Sequence, residues 1–182
     1  MHIQPTDIPG CLQISPKVFI DNRGSFVKTF HTDIFEQYGL EADWREEYYS
    51  TSYKGVLRGL HFQLTPHDHA KLVYCTSGEV LDVVLDLRIG SPSYGTHAMF
   101  QLNATDAHMI YIPKGCAHGF YTVSEQATMM YKVSTVYAPD HDSGLLWNSV
   151  GIPWPDDNPI MSDRDKAFPT FANFTSNPFT YR

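Results

Sequence analysis

Short apolar runs with period-two alternation, separated by glycine and proline, dominate the chain. They cover residues 11–20, 24–31, 55–64, 71–78, 79–88, 96–103, 108–115, 119–125 and 127–138. In EVLDVVLDL, Val80, Asp82, Val84 and Asp86 share one face, with Leu81, Val83, Leu85 and Leu87 on the other, because successive side chains of a strand point to opposite sides. Gly and Pro in YCTSGEV and LRIGSPSYG supply the turn chemistry that hairpins and tight connections need. Evenly spaced short strands with such turns predict an all-β antiparallel sandwich or barrel. Two stretches read as helix. In HTDIFEQYG, Thr32 is the expected N-cap, Ile34, Phe35 and Tyr38 form the stripe, and Gly39 ends it. Around 162–167, Ser162 is the expected cap, with Asp163 and Asp165 in the first turn. The tail from Phe168 has no periodicity and reads as an irregular cover or a mobile end.

Composition narrows the class. A length of 182 residues without repeat or linker suits one domain, 1–182, with a full-sized core. A hydrophobic content of 42% and a charged content of 18% are ordinary for a soluble protein. The formal charge of −7 and the absence of adjacent Lys or Arg residues argue against a nucleic-acid or anionic-membrane surface. A small anionic ligand remains compatible, since a few local cations can hold a diphosphate. Cys11, Cys75 and Cys116 are too few and scattered for a disulfide framework and read as reduced, packed thiols. No run approaches membrane-span length and no secretory pattern opens the chain, so the expectation is a soluble, cytoplasmic protein.

Candidate chemistry concentrates in Gly55–Gly78, where Arg58, His61 and Lys71 stand among apolar residues. One base and two cations can surround a polar ligand. Pro113-x-Gly115-x-x-His118 and His67-x-His69 match the pattern of cupins, small jelly-roll barrels. A metal cupin carries a Glu four or five residues after its second His, where this chain has Val73 and Tyr74. The metal signal is therefore weak, and His67 and His69 read as exposed loop residues.

The segments DNRGSFVKTF, GVLRGLHFQ, KLVYCTSGEVLDVVLDLRIGSPSYG, YIPKGCAHGF, YKVSTVYAP and WNSVGIPWP resemble, in that order, the dTDP-4-dehydrorhamnose 3,5-epimerase family. The resemblance spans about residues 8–167. It implies a cupin-type jelly-roll barrel with short peripheral helices, acting as a homodimer without metal or cofactor. It also implies epimerisation of a nucleotide-linked 4-keto-6-deoxysugar at C3, C5 or both, in surface polysaccharide synthesis. His61 resembles the general base and Asp165 the carboxylate that fixes its tautomer; a plain helix-start acid is the alternative for Asp165. Lys71 resembles the cation that stabilises the enolate, against a surface lysine. Tyr131 resembles the acid on the opposite face, against a barrel-lining aromatic. Arg58, Arg23 and His118 resemble ligand-holding residues, with Arg23 reaching across the dimer interface and a buried barrel histidine as the alternative for His118. Tyr137 resembles an aromatic near the sugar or nucleotide, or is a plain strand tyrosine, and Phe26 resembles a base-stacking aromatic.

The chain departs from that pattern at two places. Members specific for dTDP sugars show Glu where Lys28 stands, and Gln-x-Asn where Glu46-Glu47-Tyr48 stands. Thymine and cytosine present opposite donor and acceptor patterns, so this exchange of charge points toward a CDP-linked substrate. The alternative is a Lys28–Glu46 salt bridge, or solvent exposure of both. Three other activities share the scaffold: sugar-nucleotide 3,4-ketoisomerisation, non-catalytic sugar-nucleotide binding and metal-dependent oxygenation.

Overall fold

The computed structural model describes residues 1–181. In chain order the strands are β1 (His2–Pro5), β2 (Leu12–Ser15), β3 (Val18–Asp21), β4 (Gly24–Val27), β5 (Glu46–Tyr53), β6 (Leu57–Gln63) and β7 (Lys71–Ser77). They continue with β8 (Glu79–Asp86), β9 (His97–Asn103), β10 (Met109–Ile112), β11 (Cys116–Thr122), β12 (Gln126–Val133) and β13 (Asp142–Gly144). Helix α1 (Thr32–Gln37) precedes β5, and α2 (Asp163–Lys166) follows β13. One sheet has the order β1-β2-β10-β7-β12-β5 and faces a second with the order β13-β6-β11-β8-β9; β3 and β4 form a separate hairpin. Every ladder within these sheets is antiparallel. This is the all-β antiparallel barrel that the alternation predicts, in the cupin-type jelly-roll form that the family resemblance implies.

Apolar side chains fill three layers. Val73, Val80, Val84, Ile110, Phe120 and Met129 pack between the sheets. Leu57, Phe62, Val83, Leu85, Leu87 and Phe179 cover the outside of the five-stranded sheet. Ile14, Phe35, Leu72, Tyr74 and Met109 cover the outside of the six-stranded one. Both faces of β8 are therefore buried. Its aspartates persist there because Asp82 meets His118 and Asp86 accepts from Arg88, Ser91 and Ser93. The tail supplies part of the outer layer, so it is an irregular cover.

Helix α1 corrects one expectation. Its N-cap is His31, without a side-chain cap bond, and Thr32 is already helical. The entry is set instead by Phe30 packing edge-on against Phe35, ring centroids 4.9 Å apart, a hydrophobic staple across the cap. Ser162 does cap α2, its Oγ accepting from the Asp165 amide at 3.1 Å. Strand β5 lies outside the expected strand runs because EEYYSTSY alternates tyrosine, hydroxyl and acid rather than apolar and polar residues.

The pairing of β6 with β11 positions the site. His61 lies opposite His118 and Arg58 opposite Phe120, with a register shift between them. Three steps on β6 therefore match two on β11. In a regular strand residues three apart face opposite ways; the extra residue is a bulge that turns both Arg58 and His61 inward. Gly59 makes the bulge possible, with φ +138°. A Cβ there would lie 2.5 Å from the Gly119 Cα.

Gly59→Ala is therefore expected to cost roughly 2–5 kcal/mol, combining backbone strain and overpacking. Chemical denaturation measures the loss; a variant as stable as the wild type would show that the close approach relaxes freely.

Candidate active site

A cavity of about 400 Å³ opens between the sheets. The five-stranded sheet contributes Arg58 and His61 from β6 and His118 from β11. The six-stranded sheet contributes Lys71 from β7, Tyr131 from β12, and Glu46, Tyr48 and Ser50 from β5. His69, Tyr137, Asp142 and Arg164 complete the wall from loops and strand ends.

His61 Nε2 donates to Asp165 Oδ1 at 2.9 Å, and the Gly59 amide donates to Asp165 Oδ2 at 3.2 Å. Burial acts to raise the Asp165 carboxyl, but these bonds outweigh it and hold it below the ordinary range. An ionised Asp165 keeps the proton on Nε2 and leaves the Nδ1 lone pair as the free base. Phe168 packs edge-on against the imidazole at 5.8 Å. It fits because position 144 is glycine; a Cβ there would lie 2.4 Å from the phenyl ring.

Lys71 is buried and its ammonium donates to the His61 carbonyl at 3.3 Å. Burial lowers it to about 8, with Asp142 and Asp82 opposing. Tyr131 is held well above its ordinary range by burial, despite the opposing bond to Ser50 Oγ at 3.2 Å. Its phenol therefore stays protonated at neutral pH. The buried His118 ring bonds Asp82 Oδ2 through Nε2 at 2.7 Å and also faces the cavity. His118 is thus a buried barrel histidine that also stands in the cavity wall. Arg58 is oriented by Ser52 Oγ at 2.9 Å and the Thr51 carbonyl at 3.3 Å. Among the described residues no carboxylate pairs with Arg58 or Lys71, so both charges remain for an anionic ligand.

Glu46 and Tyr137 meet at the rim, the Tyr137 amide donating to Glu46 Oε2 at 2.8 Å. Arg23, Phe26 and Lys28 are not brought to this cavity within one chain. Arg23 and Phe26 sit on the β3–β4 hairpin and Lys28 directly follows it; Arg23 pairs with Asp21 at 2.6 Å and Phe26 is 63% exposed. Lys28 is also exposed, and among the described residues no ion pair joins it to Glu46.

His69 overturns its assignment as an exposed loop residue. It lines the cavity, and its Nδ1 lies 3.3 Å from the Gln63 amide nitrogen. Burial and the neighbouring Lys71 lower it to about 3, so the ring is neutral. Among the described residues no three His, Cys, Asp or Glu side chains converge as a metal site. Sequence reading also missed Ser50, Asp142 and Arg164. The alternation of β5 marks Ser50, and Arg164 adjoins Asp165; it pairs with Asp142 at 2.7 Å. Only the folded cavity brings Asp142 in.

The comparisons with known proteins decide the family. The model of dTDP-4-dehydrorhamnose 3,5-epimerase matches residues 5–173. The chain belongs to the dTDP-4-dehydrorhamnose 3,5-epimerase family. The Shigella flexneri dTDP-4-dehydrorhamnose 3,5-epimerase is 42% identical over 168 residues, 91% of this chain and 93% of that protein. The dTDP-6-deoxy-D-glucose-3,5-epimerase of Legionella pneumophila, solved with dTDP-4-keto-L-rhamnose, superposes with a TM-score of 0.94 at 33% identity. That match covers 100% of this chain and 98% of the other. A 3'-monoepimerase of Streptomyces bikiniensis, solved with dTDP-quinovose, superposes at 0.88 with 34% identity, covering 94% and 88%. Single- and double-inverting members thus share this fold.

The buried ammonium has a measurable cost. Between about pH 8 and 10.5 the unfolded Lys71 holds a proton that the folded one has lost, so stability rises with pH across that window. Lys71→Met is expected to stabilise the protein at pH 7 by about 3 kcal/mol and to remove that rise. Denaturant titrations at both ends of the window check this, and an unchanged slope would contradict the burial of a charged Lys71.

Proposed function

We propose that this chain epimerises a nucleotide-diphospho-4-keto-6-deoxyhexose, without a cofactor. The observation that carries the reading is the placement of His61, paired with Asp165 of α2, on one sheet and Tyr131 on the other, across one cavity. Epimerisation next to a ketone needs a base on one face of the sugar and an acid on the opposite face. The 4-keto group acidifies the hydrogens on C3 and C5. His61 Nδ1 takes one as a proton, and the electron pair moves onto the C4 oxygen as an enolate. Lys71 stabilises that oxygen. Tyr131 then returns a proton to the other face of the same carbon. Arg58 holds the diphosphate with a forked guanidinium.

The active unit in this reading is a homodimer. The β3–β4 hairpin exposes Ile20 (80%) and Phe26, and β5 exposes Tyr49 and Tyr53, an apolar surface suited to a second copy. Docked there, the hairpin of one copy would bring Arg23, Phe26 and Lys28 to the nucleotide end of the other's cavity. The proposed nucleotide is dTDP, as in the named relatives. A CDP-linked substrate is the second reading, favoured by Glu46, whose carboxylate at the rim can accept from a cytosine amino group. Turnover of the two nucleotide forms separates them. Preference for dTDP removes the CDP reading and leaves the epimerase reading intact.

The experiment is incubation with dTDP-4-keto-6-deoxyglucose in D₂O, followed by NMR of the recovered sugar. The expected result is deuterium at C3, C5 or both, with inversion at each labelled centre. His61→Ala is expected to lose exchange by about 10²–10⁴-fold, whereas Tyr131→Phe keeps exchange and slows inversion. Binding without exchange would show a non-catalytic protein, and a carbonyl displaced to C3 would show a ketoisomerase.

A further inference from the structure

Strand β5 is the edge of the six-stranded sheet, yet its inward face touches the acid and the arginine in turn. Every second residue takes part, as strand periodicity dictates. Tyr48 stacks on Tyr131 with ring centroids 4.8 Å apart and planes 17° apart. Ser50 Oγ lies 3.2 Å from the Tyr131 hydroxyl, and Ser52 Oγ accepts from Arg58 at 2.9 Å. Tyr48 and Tyr131 are direct cross-strand partners in the β5–β12 register, so the stack is built into the sheet. His118 meets the Tyr131 ring edge-on at 6.1 Å. The ring is thus bounded by a histidine edge and a tyrosine face, and its hydroxyl by a serine.

We propose that Tyr48 is a positioning residue whose ring, stacked on Tyr131, holds the Tyr131 hydroxyl where it protonates the sugar carbon from the face opposite His61. The proposal rests on the epimerase reading. Tyr48 is not itself the donor; its contribution is the apolar face of the ring. With that face removed, the Tyr131 ring gains freedom to swing outward past the edge strand. His61 still takes the proton and, with delivery from the far face impaired, hands one back to the face it came from. The carbon then acquires solvent hydrogen without inverting. Displacement of a reacting group by about 1 Å is enough to cost two orders of magnitude.

The test is the ratio of deuterium in recovered, uninverted substrate to deuterium in inverted product, measured in D₂O at early times. Both quantities come from the same active molecules, so partial misfolding of a variant does not move the ratio. Tyr48→Ala is expected to raise it about tenfold or more, while Tyr48→Phe, which keeps the ring, stays near wild type. A general structural role would slow exchange and inversion in parallel; an unchanged ratio in Tyr48→Ala overturns the proposal. A raised ratio in Tyr48→Phe overturns it also, by assigning the effect to the hydroxyl. A wild-type protein with neither exchange nor inversion overturns the epimerase reading and this inference with it. Wild-type inversion with an unmoved ratio in the variants overturns this inference alone.

Discussion

One extra residue in β6 holds the site together. The bulge at Gly59 turns His61 to the same side as Arg58, whereas a regular strand would send them apart. The same residue gives its amide to Asp165, whose other oxygen accepts from His61. Strand β6 and helix α2, over a hundred residues apart in sequence, are thereby joined at His61, the proposed base. The constraint is steric as much as polar. Gly59 and Gly119 approach so closely that neither position has space for a Cβ.

Around that joint the cavity separates its functions between two sheets. The five-stranded sheet carries His61 and Arg58, and the six-stranded sheet carries Tyr131 and Lys71, the proposed base and arginine on one side and the proposed acid and lysine on the other. A planar enolate between them would have one face toward each sheet, which is what inversion requires. Burial tunes both groups of the second sheet, pushing the Tyr131 phenol up and the Lys71 ammonium down to about 8. An ammonium in that position is expensive to fold, and in the proposed reaction it would be a strong enolate partner, since it sits in a region poor in water.

The barrel was legible because its strands alternate in the ordinary way, and α2 because Ser162 and its acids announce a helix start. His61, Lys71, Tyr131 and Arg58 were legible through the motifs that carry them, and the fold does bring all four to one cavity. Other features were hidden for physical reasons. The bulge leaves no mark beyond a glycine in RGLH, so the inward turn of His61 cannot be read from periodicity. Strand β5 escaped because its cavity face is made of Glu46, Tyr48, Ser50 and Ser52 rather than apolar residues. His69 looked like an exposed loop residue, yet Gln63 holds its ring in the cavity wall. Asp142 and Arg164 come together only once the segment after β13 folds back over β6.

The central claim is that Asp165 holds His61 as the tautomer with its proton on Nε2, leaving Nδ1 free as the base. Nitrogen-15 NMR of the imidazole at neutral pH observes this directly. A protonated Nε2 and a bare Nδ1 in the wild type, with that preference lost in Asp165→Ala, is the predicted result. A proton resident on Nδ1 would contradict the account, because the ring would then offer the cavity no lone pair.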